Sequence, residues 1–183
     1  MSPIRPEDHP WRRPAGEQPG PDRTERFTLT LTGLLPHAYA HAWRTVLAAD
    51  PLGRTAVHRD PDGRPRRVPV PGARTELRMV DWRATRPAVQ DTRLAELLAA
   101  EAAAGLRPEH ARPGHVRPEY VRPEYAVPMR ATLIRRDEDT WTLAWRYARE
   151  LADRATGLRL LAEVADTYAV LLRGDLVPEG AGR

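Results

Sequence analysis

The 183-residue chain contains no cysteine, no lysine and no asparagine. The absence of cysteine excludes disulfides, thiolate zinc sites and a cysteine nucleophile together. Because lysine is missing, all 29 basic residues are arginine, the bias a very GC-rich genome imposes. Long apolar runs are missing too. No stretch approaches the roughly 20 residues of a membrane span, and the first 26 residues lack the apolar segment of a signal peptide. The expectation is a cytoplasmic protein with no membrane partner. The net charge of +4 comes from arginines interspersed with 25 acids. A nucleic-acid footprint should be clustered on one face, so a basic nucleic-acid-binding module is an alternative with no stripe to support it.

What is present divides the chain. Residues 1–26 carry prolines at 3, 6, 10, 14, 19 and 21 and little that is apolar beyond Ile4 and Trp11. Such a leader cannot bury enough surface to offset its ordering entropy and is expected to be disordered. Residues 27–176 are expected to form one α/β lobe, and 177–183 a flexible tail. Phe27, Leu29 and Leu31 alternate with threonines, a half-buried strand by period. Leu35, Tyr39, Ala42, Trp43, Val46 and Leu47 share one helical face, with Pro36 in the first turn and Asp50-Pro51 as the stop. Strands follow at Thr55–His58 and Arg66–Val70 around a Pro-Asp-Gly turn, then Glu76–Val80. A second helix over 87–104 should bury Leu94, Leu97 and Leu98. Strands Arg130–Arg135 and Trp141–Tyr147 precede a last helix. Its expected N-cap is Thr156, and its expected buried stripe is Leu158, Leu161, Val164, Ala165, Tyr168, Leu171 and Leu172. The order is β-α-β-β-β-α-β-β-α, a mixed sheet with flanking helices.

Residues 107–127 hold an Arg-Pro-Glu pentad repeat with proline at 108, 113, 118 and 123. Proline at every fifth position forbids helix and removes a ladder donor each time. Three readings stay open. The repeat is a tolerated duplication in a surface loop, a docking arm presenting Tyr120 and Tyr125, or a metal site through His110 and His115, which have no acidic or thiol companion at ligand spacing. His37 and His41 are spaced i, i+4 without a Glu between them or a third ligand, so no metal is assigned. Neither a Gly-rich phosphate loop nor a Gly-x-Ser-x-Gly elbow is present, and no cofactor is expected. Trp43, Trp82, Trp141, Trp145 and Tyr147 read as packing residues.

From Phe27 onward the succession of features resembles the condensation domains of non-ribosomal peptide synthetases. Gly33, Ala42-Trp43, Leu52-Gly53-Arg54-Thr55, Asp81-Trp82-Arg83 and Arg130-Ala131-Thr132-Leu133-Ile134-Arg135 fall in the family's order. The helix ending Leu171-Leu172-Arg173-Gly174 closes it. The resemblance implies the amino-terminal lobe of a chloramphenicol-acetyltransferase-like fold and a place in peptide biosynthesis. It also places the family's His-His-x-x-x-Asp-Gly motif on Ala148-Arg149-Glu150-Leu151-Ala152-Asp153-Arg154. Both histidines and the glycine are replaced, and only Asp153 matches.

Arginine stays protonated to about pH 12 and has no acceptor lone pair, so Arg149 cannot stand in for a histidine base. No catalytic residue is assigned. Asp153 either pairs with Arg54 or serves as a solvated side chain or helix cap. The resemblance covers one lobe of two, so the expectation is a non-catalytic pseudoenzyme that binds. Its expected partners are a second copy of itself, a complementary condensation lobe, or a peptide synthetase or carrier protein. A split acyltransferase completed by another chain is the main alternative.

Overall fold

The computed structural model describes residues 24–59, 62, 64–69, 76–104, 106, 125–126 and 129–174. Most of the leader, the repeat from 107 to 124, the tail, and Asp60, Pro61 and Gly63 of the expected turn lie outside them. Among the described residues seven strands and three α-helices follow one another: β1 Thr24–Thr32, α1 Pro36–Ala49, β2 Thr55–Arg59, β3 Pro65–Pro69, β4 Leu77–Asp81, α2 Pro87–Ala104, β5 Tyr125–Ala126, β6 Met129–Arg135, β7 Thr140–Ala148 and α3 Arg154–Arg173. The α/β class and the order hold, with β5 as an added two-residue strand and β1 beginning three residues earlier than Phe27.

The main sheet runs β1-β7-β6-β4, and β3-β2-β5 form a smaller second sheet. β7 is the axis of the fold. It pairs antiparallel with β1 from Thr24↔Ala148 to Thr32↔Thr140, and with β6 from Met129↔Tyr147 to Arg135↔Trp141. β4 joins β6 in parallel, which makes the sheet mixed. Because side chains alternate along a strand, Trp141, Leu143, Trp145 and Tyr147 share one face of β7 with Phe27, Leu29 and Leu31 beside them. α1 and α3 pack on that face. The core is aromatic: Phe27 stacks on Trp145 at 5.3 Å, and Trp43 from α1 meets Trp145 edge-on at the same distance. Trp43, Trp145 and Tyr147 are all but inaccessible to solvent, each burying the large area that makes aromatics dominate core energetics.

α1 buries the expected face, Tyr39, Ala42, Trp43, Val46 and Leu47, whereas Leu35 stays exposed at its N-cap. A 3₁₀ turn, Pro51–Arg54, doubles back onto α1. A Cβ at Gly53 would lie 1.9 Å from the Leu47 carbonyl oxygen, so only glycine fits there.

The last helix departs from expectation in two ways. Asp153, not Thr156, is its N-cap. The Asp153 carboxylate accepts from the Thr156 amide at 2.8 Å and from its hydroxyl at 2.7 Å. The buried stripe is Gly157, Leu160, Leu161 and Val164, while Leu158 and Leu172 face solvent. Leu161 and Val164 of the expected stripe are thus buried, and Tyr168 and Leu171 pack partly buried against the core. At the other end Gly174 adopts the left-handed C-cap conformation with φ of 74°, as the Arg-Gly stop signalled.

α2 differs more. Leu94, Leu97 and Leu98 are only half-buried. The helix is tied down mainly by polar contacts. The Gln90 amide donates to the carbonyls of Trp82, Thr85 and Arg136 at 2.8–3.0 Å, and its oxygen accepts from Arg136 Nε at 2.8 Å. Arg93 lies over the Trp82 ring at 5.1 Å. The buried Arg146 donates through Nη1 to the Glu101 carbonyl. Burial pushes the Glu101 carboxyl above its ordinary range, against the opposing pull of Arg130, Arg146 and Arg78. An apolar stripe was expected because the leucines have helical spacing. The face that β6 and β7 turn away from α1 and α3 instead mixes Thr132, Thr142 and Arg146 with Ile134 and Ala144, so it offers hydrogen bonds as well as apolar surface.

Candidate functional site

The site lies where β7 ends, a turn crosses from Ala148 to Leu151, and α3 begins. The turn closes with the Leu151 amide donating to the Ala148 carbonyl at 3.0 Å, and Leu151 is buried beneath it. Tyr147, the last core residue of β7, donates its hydroxyl to the Asp153 carbonyl at 2.7 Å. This bond links the strand to the helix across the turn. Burial, and then the neighbouring Glu25, push the Tyr147 phenol up to about 12.

β1 supplies the acid of the site. Glu25 pairs in register with Tyr147, on the same face as Phe27. It is 8% exposed. A carboxylate in that position needs a cation, because burying an uncompensated charge is among the most costly things a fold can do. Two arginines provide it. Arg149 Nε sits 2.7 Å from one carboxylate oxygen, and Arg154 Nη1 sits 3.5 Å from the other. Arg154 also donates to the Arg26 carbonyl at 3.3 Å and lies over the Phe27 ring at 4.7 Å. From the smaller sheet, Arg67 on β3 donates through Nε to the Glu150 carbonyl at 2.7 Å. The turn is therefore tied to β1 through Arg149 and Arg154 and to β3 through Arg67.

Ala148, Arg149, Asp153 and Arg154 are thus neighbours in space. The expected pairing of Asp153 with Arg54 is not formed. Asp153 caps α3, and Arg54 Nη2 donates to the Ala49 carbonyl at the end of α1. The short cap bonds use the Asp153 carboxylate within its own helix turn. They hold its carboxyl below the usual range, the Thr156 amide contributing most and its hydroxyl next. Glu25 and Arg67 were missed by the sequence reading, since Glu25 was placed in the disordered leader. The signal for Glu25 was available in the alternation Glu25, Phe27, Leu29, Leu31, which puts it on the core face of the first strand. For Arg67 no local signal exists. His37 and His41 stand exposed on α1. Tyr120 lies outside the described residues, as do His110 and His115, and of Tyr125 only the backbone pairing of β5 with β2 is described. Among the described residues no helix is long and apolar enough to cross a membrane.

The starter condensation domain of the rhizomide synthetase RzmA superposes on this chain with a TM-score of 0.61 at 17% identity, covering 84% of this chain and 34% of its own. The chain has the fold of a condensation-domain lobe. The cyclization-docking bidomain EpoB from Sorangium cellulosum gives 0.59 at 17% identity over 87% of this chain and 27% of its own. The tallysomycin biosynthesis protein TlmII gives 0.59 at 26% identity over 80% and 33%. The lobe spans about a quarter to a third of the solved chains it matches. No family model and no curated protein sequence matches it.

Proposed function

We propose that this lobe belongs to a peptide- or polyketide-synthetase pathway, where it binds rather than catalyses, with a synthetase or its carrier protein as partner. The observation that carries the reading is the 2.7 Å contact between Arg149 Nε and the buried Glu25 carboxylate. Amide formation from a thioester needs a group that accepts a proton from the attacking amine, and an imidazole near neutrality suits that task. A guanidinium has neither the pKa nor the lone pair for it. At the second motif position it is also committed to a structural partner. Ala148 brings no ionisable group, and Arg154 in place of glycine is held to the Arg26 carbonyl and the Phe27 ring. At the second motif position proton-transfer chemistry is thus replaced by charge pairing. That the solved proteins it superposes on are condensation and cyclization domains supports the pathway assignment.

The test is to incubate the purified chain with an acyl thioester and an amine and to look for the amide by mass spectrometry. No product above the uncatalysed background is expected. Product formation that disappears in Arg149→Ala would overturn the reading. A second reading is a split enzyme completed by a complementary condensation lobe, which the likeness to condensation and cyclization domains also supports. Under that reading the double change Ala148→His with Arg149→His, mixed with the partner lobe, yields acyl transfer. Under the first it yields none.

A further inference from the structure

We infer that the Ala148–Arg154 segment is an anion-binding site in which Arg149, Arg154 and Arg67 together present unused guanidinium donors to one carboxylate or phosphate group. This inference rests on the reading of the segment as a binding element and names the ligand class it takes.

The argument begins with which donors are occupied. Arg149 reaches Glu25 through Nε alone, so among the described residues both of its Nη groups are without a bond. Among the described residues Arg154 uses Nη1 alone, shared between Glu25 and the Arg26 carbonyl. Among the described residues Arg67 uses Nε alone, on the Glu150 carbonyl. The side chains of Arg149 and Arg154 are 44% and 40% exposed, and Arg67 is exposed as well. The spare N–H groups are therefore open to a ligand.

The acids of the neighbourhood do not compete for them. Glu25 is already shared by two arginines, Asp153 is turned into the first turn of α3 on Thr156, and Glu150 has an interaction of its own. The Tyr147 hydroxyl is spent on the Asp153 carbonyl. The ligand must bring its own negative charge.

The arginines are also held in place before a ligand arrives. Arg149 and Arg154 grip opposite oxygens of one buried carboxylate, and the Arg154 guanidinium is further held over Phe27. Guanidinium groups fixed in this way lose little side-chain entropy on binding, and their planar forks match carboxylate and phosphate oxygens two at a time. A lone surface arginine offers neither advantage.

The probe is inorganic phosphate, with acetate as a second arm to separate phosphate from carboxylate recognition, both titrated into the full chain at constant ionic strength and followed by amide chemical shifts. Saturable shifts centred on residues 149–156 are expected for at least one anion. Arg67→Gln, which leaves the Glu25 cluster intact, should weaken that binding about tenfold, the change expected from losing one charge-assisted bond. Arg44→Gln, on the exposed face of α1, should leave binding unchanged. Shifts spread evenly over all surface arginines, no saturation with either anion, or equal binding by Arg67→Gln and the unsubstituted chain would each overturn the inference. Should Arg67→Gln unfold, Arg154→Gln read by the same shifts decides it in the same way. The acyl-transfer assay on the same samples keeps the two readings apart. Turnover sinks the non-catalytic reading whatever phosphate does, whereas absent anion binding sinks only this inference.

Discussion

Gly157 sits in the first turn of α3, where the helix presses closest to the sheet. A Cβ there would lie 2.3 Å from the Tyr147 hydroxyl oxygen and 2.7 and 2.8 Å from two ring carbons of Phe27. Two effects of opposite sign compete in Gly157→Ala. Helix propensity favours alanine by about 1 kcal/mol. Against it, overpacking a filled core costs about 1–3 kcal/mol. The nearest clash also pushes the Tyr147 hydroxyl off the Asp153 carbonyl, which forfeits about 1 kcal/mol more. Packing wins, and the net loss is about 2 kcal/mol. For a chain of this size that lowers Tm by about 4–8 °C. In urea the midpoint should fall with the slope unchanged, since the surface exposed on unfolding is the same. Tyr147→Phe removes the closest contacting atom. The double variant should therefore be more stable than the sum of the single changes, by about 1 kcal/mol of coupling. A Gly157→Ala protein as stable as the parent, or more so, refutes the argument, because propensity would then have outweighed the contacts.

Three further outcomes follow from the same geometry. Trp43→Ala should cost about 3–5 kcal/mol by chemical denaturation, since Trp43 is wholly buried against Trp145, and a loss below about 1 kcal/mol contradicts that placement. Arg149→Ala should destabilise more than Glu25→Gln. The first leaves a buried carboxylate with only the longer Arg154 contact, about 2 kcal/mol, and the second frees two arginines that water can solvate, about 1 kcal/mol or less. The reverse order in urea midpoints rules the cluster out. Acid should destabilise the fold through Asp81, Asp137 and Asp153. Hydrogen bonds from Arg83 hold Asp81 at about 2, and the backbone bonds from Asp139 and Thr140 lower Asp137 as the Thr156 bonds lower Asp153. A depressed carboxyl contributes its stability in full above the unfolded value near 4 and loses it as pH falls through the folded value. Urea midpoints should therefore drop between about pH 4 and 2, less steeply in Asp153→Asn, and a parent midpoint flat over that range excludes the linkage.

The elements whose residues face a single environment were legible in the sequence. The apolar face of α1 and the alternating strand β1 announce themselves because each side chain's fate follows from its spacing along one element. α2 was only half legible. Its leucines have helical spacing, but how deeply they are buried depends on the polar face they meet, which is assembled from two other strands. The N-cap of α3 was placed three residues late because Asp153 and Thr156 are both good caps, and only the turn ahead of the helix selects between them.

The sequence by itself determined that residues 148–154 hold no histidine and that Arg149 is no base, because a guanidinium stays protonated in any fold. It also determined the succession of strands and helices, since that succession is periodicity written locally. What the arginines do instead was decided by tertiary structure alone. Glu25 and Arg149 lie at opposite ends of the chain and meet only because β1 pairs with β7. Arg67 reaches the same turn from a different sheet. Such pairings carry no local signature. They follow from which strand lies beside which, and that choice is made by burying the aromatic face of the whole sheet.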